Sequence, residues 1–105
     1  MNLSVKQRGL LLAILPQSGK RVEMLLINEM VKSLSFTPEE REEFELRDTE
    51  VGTTFNPIKV RDITFDFSDI QKEIVKTTLL EMDKNAQISL DLLPIWDMFF
   101  GVNQL

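Results

Sequence analysis

Residues 90–102 constrain the fold more than any other part of the chain, because their apolar side chains point in almost every direction around a helix. The acidic residues Asp91 and Asp97 lie about 240° apart on such a helix and do not form a continuous polar face. A helix of this kind cannot face water, so the domain itself, a second subunit or a partner must cover it. The residues predicted to bind a partner are Leu92, Ile95, Trp96, Phe99 and Phe100.

A hydrophobic core is the alternative role for these apolar side chains. One helix can serve both purposes by burying Leu92, Trp96 and Phe99 inside the domain while it presents Ile95 or Phe100 to a second chain. We therefore expect either a homo-oligomer or a complex with another protein, in which aromatic side chains contribute most of the binding free energy.

The chemistry open to the chain is narrow, because its 105 residues include no cysteine, histidine or tyrosine. This composition excludes disulfides, thiolate zinc sites, imidazole metal ligands and nucleophiles activated by histidine. We predict no catalytic, cofactor-binding or metal-binding residue, and a protein that is not an enzyme. A metal-dependent or carboxylate-based enzyme is the alternative, and it would require a concave site with converging acidic side chains.

Three helices are predicted in the first half of the chain. Ser4 and Gln7 have the spacing of a capping box and begin a helix over residues 4–15, which Pro16 ends. Apolar residues recur at helical spacing over residues 20–34, so the first two helices should form a helical hairpin. A third helix is indicated at residues 37–40, Thr-Pro-Glu-Glu, by a capping hydroxyl, a proline in the first helical position and early acidic residues.

The apolar pattern changes from helical to alternating over residues 44–67. Phe44, Leu46, Phe65 and Phe67 are separated by charged or hydroxyl side chains, as in half-buried strands. A proline at position 57 interrupts any long strand. We therefore expect two or three short strands in one small antiparallel sheet.

Two more helices are predicted after the strands. Ser68 and Gln71 form a second capping box, and Ser89 caps a terminal helix in which Pro94 either introduces a kink or marks a later start. The inner stripe expected for the first of these helices is Ile70, Ile74, Thr78 and Met82. The prediction for residues 1–105 is a single α+β domain with an N-terminal helical hairpin, a small antiparallel sheet and two C-terminal helices.

The net charge of −5 includes a dense acidic run, predicted to form an acidic face. Its members are Glu39, Glu40, Glu42 and Glu43. Such a run is usually a solvated helix face that the helix dipole stabilises, but it could also occupy the basic nucleic-acid or nucleotide site of another protein. The basic side chains are few and scattered, with no aromatic residues between them, which argues against direct nucleic-acid binding.

Membrane association is not expected, because no apolar run reaches the roughly 20 residues that span a bilayer. The apolar run at residues 10–15 is short even for a signal peptide and ends without a cleavage site of small residues. These features favour a cytoplasmic location.

The order of elements also carries a resemblance. A leucine-rich helix ending in residues 11–16, Leu-Leu-Ala-Ile-Leu-Pro, is followed by residues 33–41, Ser-Leu-Ser-Phe-Thr-Pro-Glu-Glu-Arg, then a charged strand region and a final amphipathic helix. This order resembles small uncharacterised proteins encoded in phage and prophage genomes, across most of the chain. The resemblance implies the cytoplasm of an infected bacterium and binding rather than catalysis. We expect a non-enzymatic protein-interaction module, with an inhibitor or anti-defence protein that uses the acidic face as the alternative.

Overall fold

The structure, a computed structural model, describes residues 1–101, and within them five α-helices and four short strands. In chain order the elements are β1 (Asn2–Leu3), α1 (Val5–Ile14), α2 (Arg21–Leu34), α3 (Pro38–Glu43), β2 (Arg47–Thr49), β3 (Gly52–Thr54), β4 (Ile63–Thr64), α4 (Asp69–Lys84), a 3-10 turn (Leu90–Leu92) and α5 (Leu93–Phe100). The α+β class is therefore confirmed. Val102, which belongs to the apolar segment at the end of the chain, lies outside the described residues.

Local capping determines where three of the helices begin. Ser4, Thr37 and Ser68 each accept a hydrogen bond from the backbone N–H three residues later, at the starts of α1, α3 and α4. In each case the side chain of that later residue accepts a hydrogen bond from the backbone N–H of the capping residue, which completes a capping box. These helix starts could be predicted because a capping box involves only neighbouring residues.

The strands form two separate antiparallel pairs rather than one sheet. In the first pair, Leu3 of β1 lies opposite Ile63 of β4, and Phe65 N–H donates to the Met1 carbonyl at 2.8 Å. In the second, β2 and β3 form a hairpin in which Thr49 lies opposite Gly52, whose φ of +131° favours glycine. A strand of two residues cannot display an alternating pattern, so nothing in the sequence predicted β1.

The main core is built by helices. Helix α2 contacts α1 and α4, and α4 contacts α5, whereas every residue of β2 and β3 is exposed. The buried apolar residues of this core are Leu3, Leu11, Leu15, Ile27, Met30, Leu34, Phe65, Phe67, Val75, Leu79, Leu92, Ile95 and Phe99. The helices therefore pack mainly on one another and not around a central sheet.

A second, smaller group of buried apolar residues lies beside the main core. Val5, Phe44 and Leu46 are its buried members, with Phe36, Phe55 and Val60 packed against them. We refer to these six residues as the small cluster. Phe44 and Leu46, which the sequence placed in a strand, lie between α3 and β2 and connect the helix to the hairpin.

The predicted inner stripe of α4 is confirmed only in part, because Ile74 and Met82 are partly buried against the main core but the most buried row lies one position further around the helix. The buried residues are Gln71, Val75 and Leu79, whereas Ile70 is 63% exposed. Gln71 Nε2 donates to the Leu26 carbonyl of α2 at 3.2 Å, so a polar side chain holds the contact where a stripe of apolar residues was expected. Apolar spacing alone does not identify a buried glutamine, so the pattern did not predict the row that contains Gln71.

Candidate functional site

The last helix buries one of its faces within its own protomer. Leu92, Ile95 and Phe99 have exposed fractions of 4%, 0% and 7% and belong to the main core. Their spacing places them on a single face, and α5 packs against α4. These three residues are therefore inaccessible to a partner in this conformation. The expectation that Ile95 could face a second chain is wrong, because α4 and its neighbours already cover it.

A different face of the same segment is open to solvent. Leu90 and Leu93 are 85% and 48% exposed, and Trp96 and Phe100 are half-buried. The rings of Trp96 and Phe100 lie with their centroids 4.4 Å apart and their planes tilted by 34°. Residues 93, 96 and 100 share one side of an α-helix, and residue 90 lies one 3-10 turn earlier. We call Leu90, Leu93, Trp96 and Phe100 the C-terminal ridge.

Charged side chains border the C-terminal ridge. Asp97 is exposed on α5, and Lys76 of α4 places its Nζ 5.9 Å from the centroid of the Phe100 ring. At the start of the segment, Lys6 Nζ and Asp91 Oδ1 form an exposed ion pair at 2.7 Å. An apolar centre with a polar border is the usual arrangement of a protein interface.

The acidic run does not form a uniform face. Glu39 and Glu42 are exposed, but Glu40 Oε2 lies 2.8 Å from Nη1 of Arg8, and Glu43 Oε2 lies 3.1 Å from Nε of Arg61. Two of the four predicted carboxylates are therefore engaged in ion pairs within the protein, which reduces the charge available to a basic partner.

Arg8 is a buried charge that the sequence analysis did not identify. Its side chain is 2% exposed, and its guanidinium donates from Nε to the Leu34 carbonyl and from Nη2 to the Ser35 carbonyl, each at 3.2 Å. Two further hydrogen bonds reach Glu40, from Nη1 to Oε2 at 2.8 Å and from Nη2 to Oε1 at 3.1 Å. The end of α2 and the start of α3 are thus bound to α1 by one side chain.

Aromatic rings complete the environment of Arg8. The guanidinium carbon lies 4.1 Å from the centroid of the Phe36 ring, which packs on the small cluster, and 5.2 Å from that of Phe65 in the main core. Arg8 therefore joins the two groups of apolar residues through cation–π contacts. The available signal was its position between Val5 and Leu11, where a charged residue interrupts the apolar stripe of α1.

The same ion pair changes the acidity of Glu40. Hydrogen bonding to Arg8 lowers the pKa of this carboxyl below its ordinary value of 4.5, partial burial opposes the change, and the backbone N–H of Thr37 reinforces it. The pKa of Glu45 is also lowered, chiefly by its hydrogen bonds to Lys59 and Asn56.

Glu40→Gln should make the protein less stable at neutral pH and less sensitive to acid. A carboxyl whose pKa is lower in the folded state than in the unfolded state stabilises the protein above pH 4.5. This stabilisation is lost as the pH falls through the folded-state pKa. We expect a loss of about 1.5–3 kcal/mol at pH 7 from the missing charged hydrogen bonds. In urea unfolding measured from pH 7 to pH 3, the free energy of unfolding should fall less steeply at acid pH than it does in the wild type. Part of this acid limb should remain, because the pKa of Glu45 is also lowered in the folded protein. An unchanged limb would contradict this assignment.

The described part of the chain contains neither a cluster of possible metal ligands nor a helix that could span a membrane. Within residues 1–101, no group of three or more acidic side chains could hold a metal ion, although Glu23, Glu73 and Glu81 border a cavity of about 420 Å³ between the start of α2 and α4. None of the helices in residues 1–101 combines the length and apolar character needed to cross a bilayer.

Comparison with known proteins identifies no relative. No family model, no curated protein and no solved structure matches this chain. The function is therefore argued from the surface of the molecule.

Proposed function

We propose that this protein is a non-enzymatic protein-interaction module that binds through the C-terminal ridge. The observation that carries the proposal is the exposure of Leu90 and Leu93, at 85% and 48%, in line with the half-buried pair of Trp96 and Phe100. An apolar row at this spacing on one helix is the form in which helices dock into hydrophobic grooves or onto one another.

Energetic arguments support the ridge as the binding surface. Interface energy is usually concentrated in a few large side chains, with tryptophan prominent among them. Trp96 is already ordered against Phe100, so binding costs little additional side-chain entropy at this position. The partner we infer first is a second copy of the chain, because an apolar ridge can pair with itself about a twofold axis without needing complementary charge.

Leu93→Glu should abolish this association while leaving the fold intact, because Leu93 is 48% exposed. A charge placed in the centre of an apolar interface should raise the dimer Kd about 30-fold or more. Light scattering coupled to size exclusion, over a range of protein concentrations, measures the effect. Leu25→Glu is a matched control, since Leu25 is 50% exposed on α2 and lies outside the C-terminal ridge.

The same variants distinguish self-association from binding to another protein. If the wild type stays monomeric at high concentration, the ridge must act on a different protein, and Leu93→Glu but not Leu25→Glu should lose a partner captured from a bacterial lysate. Equal behaviour of both variants in both assays would contradict the proposal.

The setting we propose is the cytoplasm of a bacterium carrying a phage or prophage, and it rests on the resemblance in the order of elements. The anti-defence alternative has less support, because Glu40 and Glu43 pair with Arg8 and Arg61 within the protein. The origin of the chain and its location in the cell stay predictions.

A further inference from the structure

A cavity of about 390 Å³ lies between α1 and the hairpin of β2 and β3, and its lining residues include none of the C-terminal ridge. Its volume is within the range of about 300–1,000 Å³ that is usual for small-molecule sites. The cavity lies beside the small cluster, and four members of that cluster line it: Val5, Phe36, Leu46 and Phe55.

The wall of this cavity is mainly apolar. Leu10 and Leu12 line it from α1, and Leu46 and Phe55 line it from the two sides of the hairpin. Gly9 also borders the cavity, and a Cβ atom added at this position would meet no atom within 4 Å. The absence of a side chain at residue 9 therefore keeps the cavity open along one turn of α1.

Two cationic side chains, Lys6 and Arg41, line the same cavity in a protein whose net charge is −5. Each has a carboxylate partner, Asp91 at 2.7 Å for Lys6 and Asp48 at 3.1 Å for Arg41. Both pairs are exposed to solvent, and exposed pairs of this kind contribute little. The carboxylate of a bound ligand could therefore replace Asp91 or Asp48 as the ion-pair partner at a small cost in free energy.

We propose that this cavity binds a small amphiphilic carboxylate as a free molecule. Its apolar body lies against Leu10, Leu46 and Phe55, and its carboxylate accepts hydrogen bonds from Lys6 and Arg41. Charge complementarity selects an anion, and the apolar wall selects a chain or ring rather than a small inorganic ion. This inference does not rest on binding through the C-terminal ridge, although Lys6 also pairs with Asp91 beside that ridge.

Titration of the whole chain with octanoate, followed by amide NMR shifts, tests the proposal. Saturable shifts should concentrate at Gly9, Thr53 and Phe55, which line the cavity. Octan-1-ol has the same chain without the charge and should bind about tenfold more weakly, since charge-assisted hydrogen bonds are the stronger ones. Absence of saturable shifts, or equal affinity for octan-1-ol, would overturn the proposal.

Three variants locate the ligand. Gly9→Leu should fill the opening and abolish binding with a melting temperature no lower than that of the wild type, because leucine favours a helix more than glycine does. The double variant Lys6→Gln with Arg41→Gln should reduce octanoate affinity about tenfold and leave octan-1-ol affinity unchanged. The double variant Lys72→Gln with Lys84→Gln, an equal charge change on α4, is the control and should bind like the wild type. Octanoate binding that survives both Gly9→Leu and the double variant would place the ligand elsewhere and refute the inference.

Discussion

Arg8→Ala should lower the free energy of unfolding by about 3–5 kcal/mol, the usual cost of removing one partner from a buried ion pair. The substitution removes the donors that satisfy the carbonyls of Leu34 and Ser35, and it leaves Glu40, whose side chain is 14% exposed, without its cation. Since domains of this size have only about 5–15 kcal/mol of stability, the loss should be evident in urea unfolding at pH 7.

Two further variants separate the charge of Arg8 from its packing. Arg8→Met keeps much of the side-chain volume, and a double-mutant cycle of Arg8→Met with Glu40→Gln should give a coupling energy of about 0.5–3 kcal/mol. Arg21→Ala, at the exposed first residue of α2, should change stability by no more than about 0.5 kcal/mol. A loss below 1 kcal/mol for Arg8→Ala would mean that the two groups of apolar residues do not depend on this side chain.

Ile95→Ala should cost about 2–5 kcal/mol, as expected for truncation of an aliphatic side chain in a packed core. Ile95 is 0% exposed, so the substitution leaves a cavity between α5 and the main core. The loss should not depend on protein concentration, because the contacts of Ile95 lie within one protomer. Chemical denaturation at two widely different protein concentrations measures the free energy of unfolding for this test.

Leu93→Ala is the matched comparison on the same helix. Its side chain is 48% exposed, so the monomer should lose about 0.5 kcal/mol or less, and any larger effect should appear only where the protein associates. If Ile95→Ala instead produced a small loss that grew with protein concentration, the division of α5 into a buried face and the C-terminal ridge would be wrong.

The two sets of variants address different parts of the molecule. The Arg8 series tests how the main core and the small cluster are joined. Phe36, which the Arg8 guanidinium contacts, also lines the cavity beside α1. The Ile95 and Leu93 pair tests whether the face proposed to bind a partner can be changed without damage to the fold. Together they make it possible to assign a loss of binding to the surface and not to unfolding.

Features that depend on neighbouring residues could be predicted without coordinates. The capping boxes at Ser4 and Ser68 and the capped start at Thr37 occur where the residue pattern indicated. The last helix begins at Leu93, which fits the later start that was one of two alternatives for Pro94, but the side chain of Ser89 makes no capping hydrogen bond. In each case the hydrogen bonds or steric restrictions act within about one helical turn. The α+β class was predicted from these helix signals together with the alternating pattern of residues 44–67, although Phe44, Leu46, Phe65 and Phe67 all lie outside the strands.

Contacts between segments that are far apart in the sequence decided which residues are buried. The amino acid pattern required that the apolar end of the chain be covered. Packing against α4 selected Leu92, Ile95 and Phe99 for the core, left Trp96 and Phe100 half-buried, and left Leu90 and Leu93 exposed. Arg8 became buried because the carbonyls at the end of α2, a carboxylate of α3 and two aromatic rings converge on it. The free energy of burying a side chain depends on which segments pack against it in the folded protein. The sequence shows which side chains are able to pack, but it does not show which segments they contact.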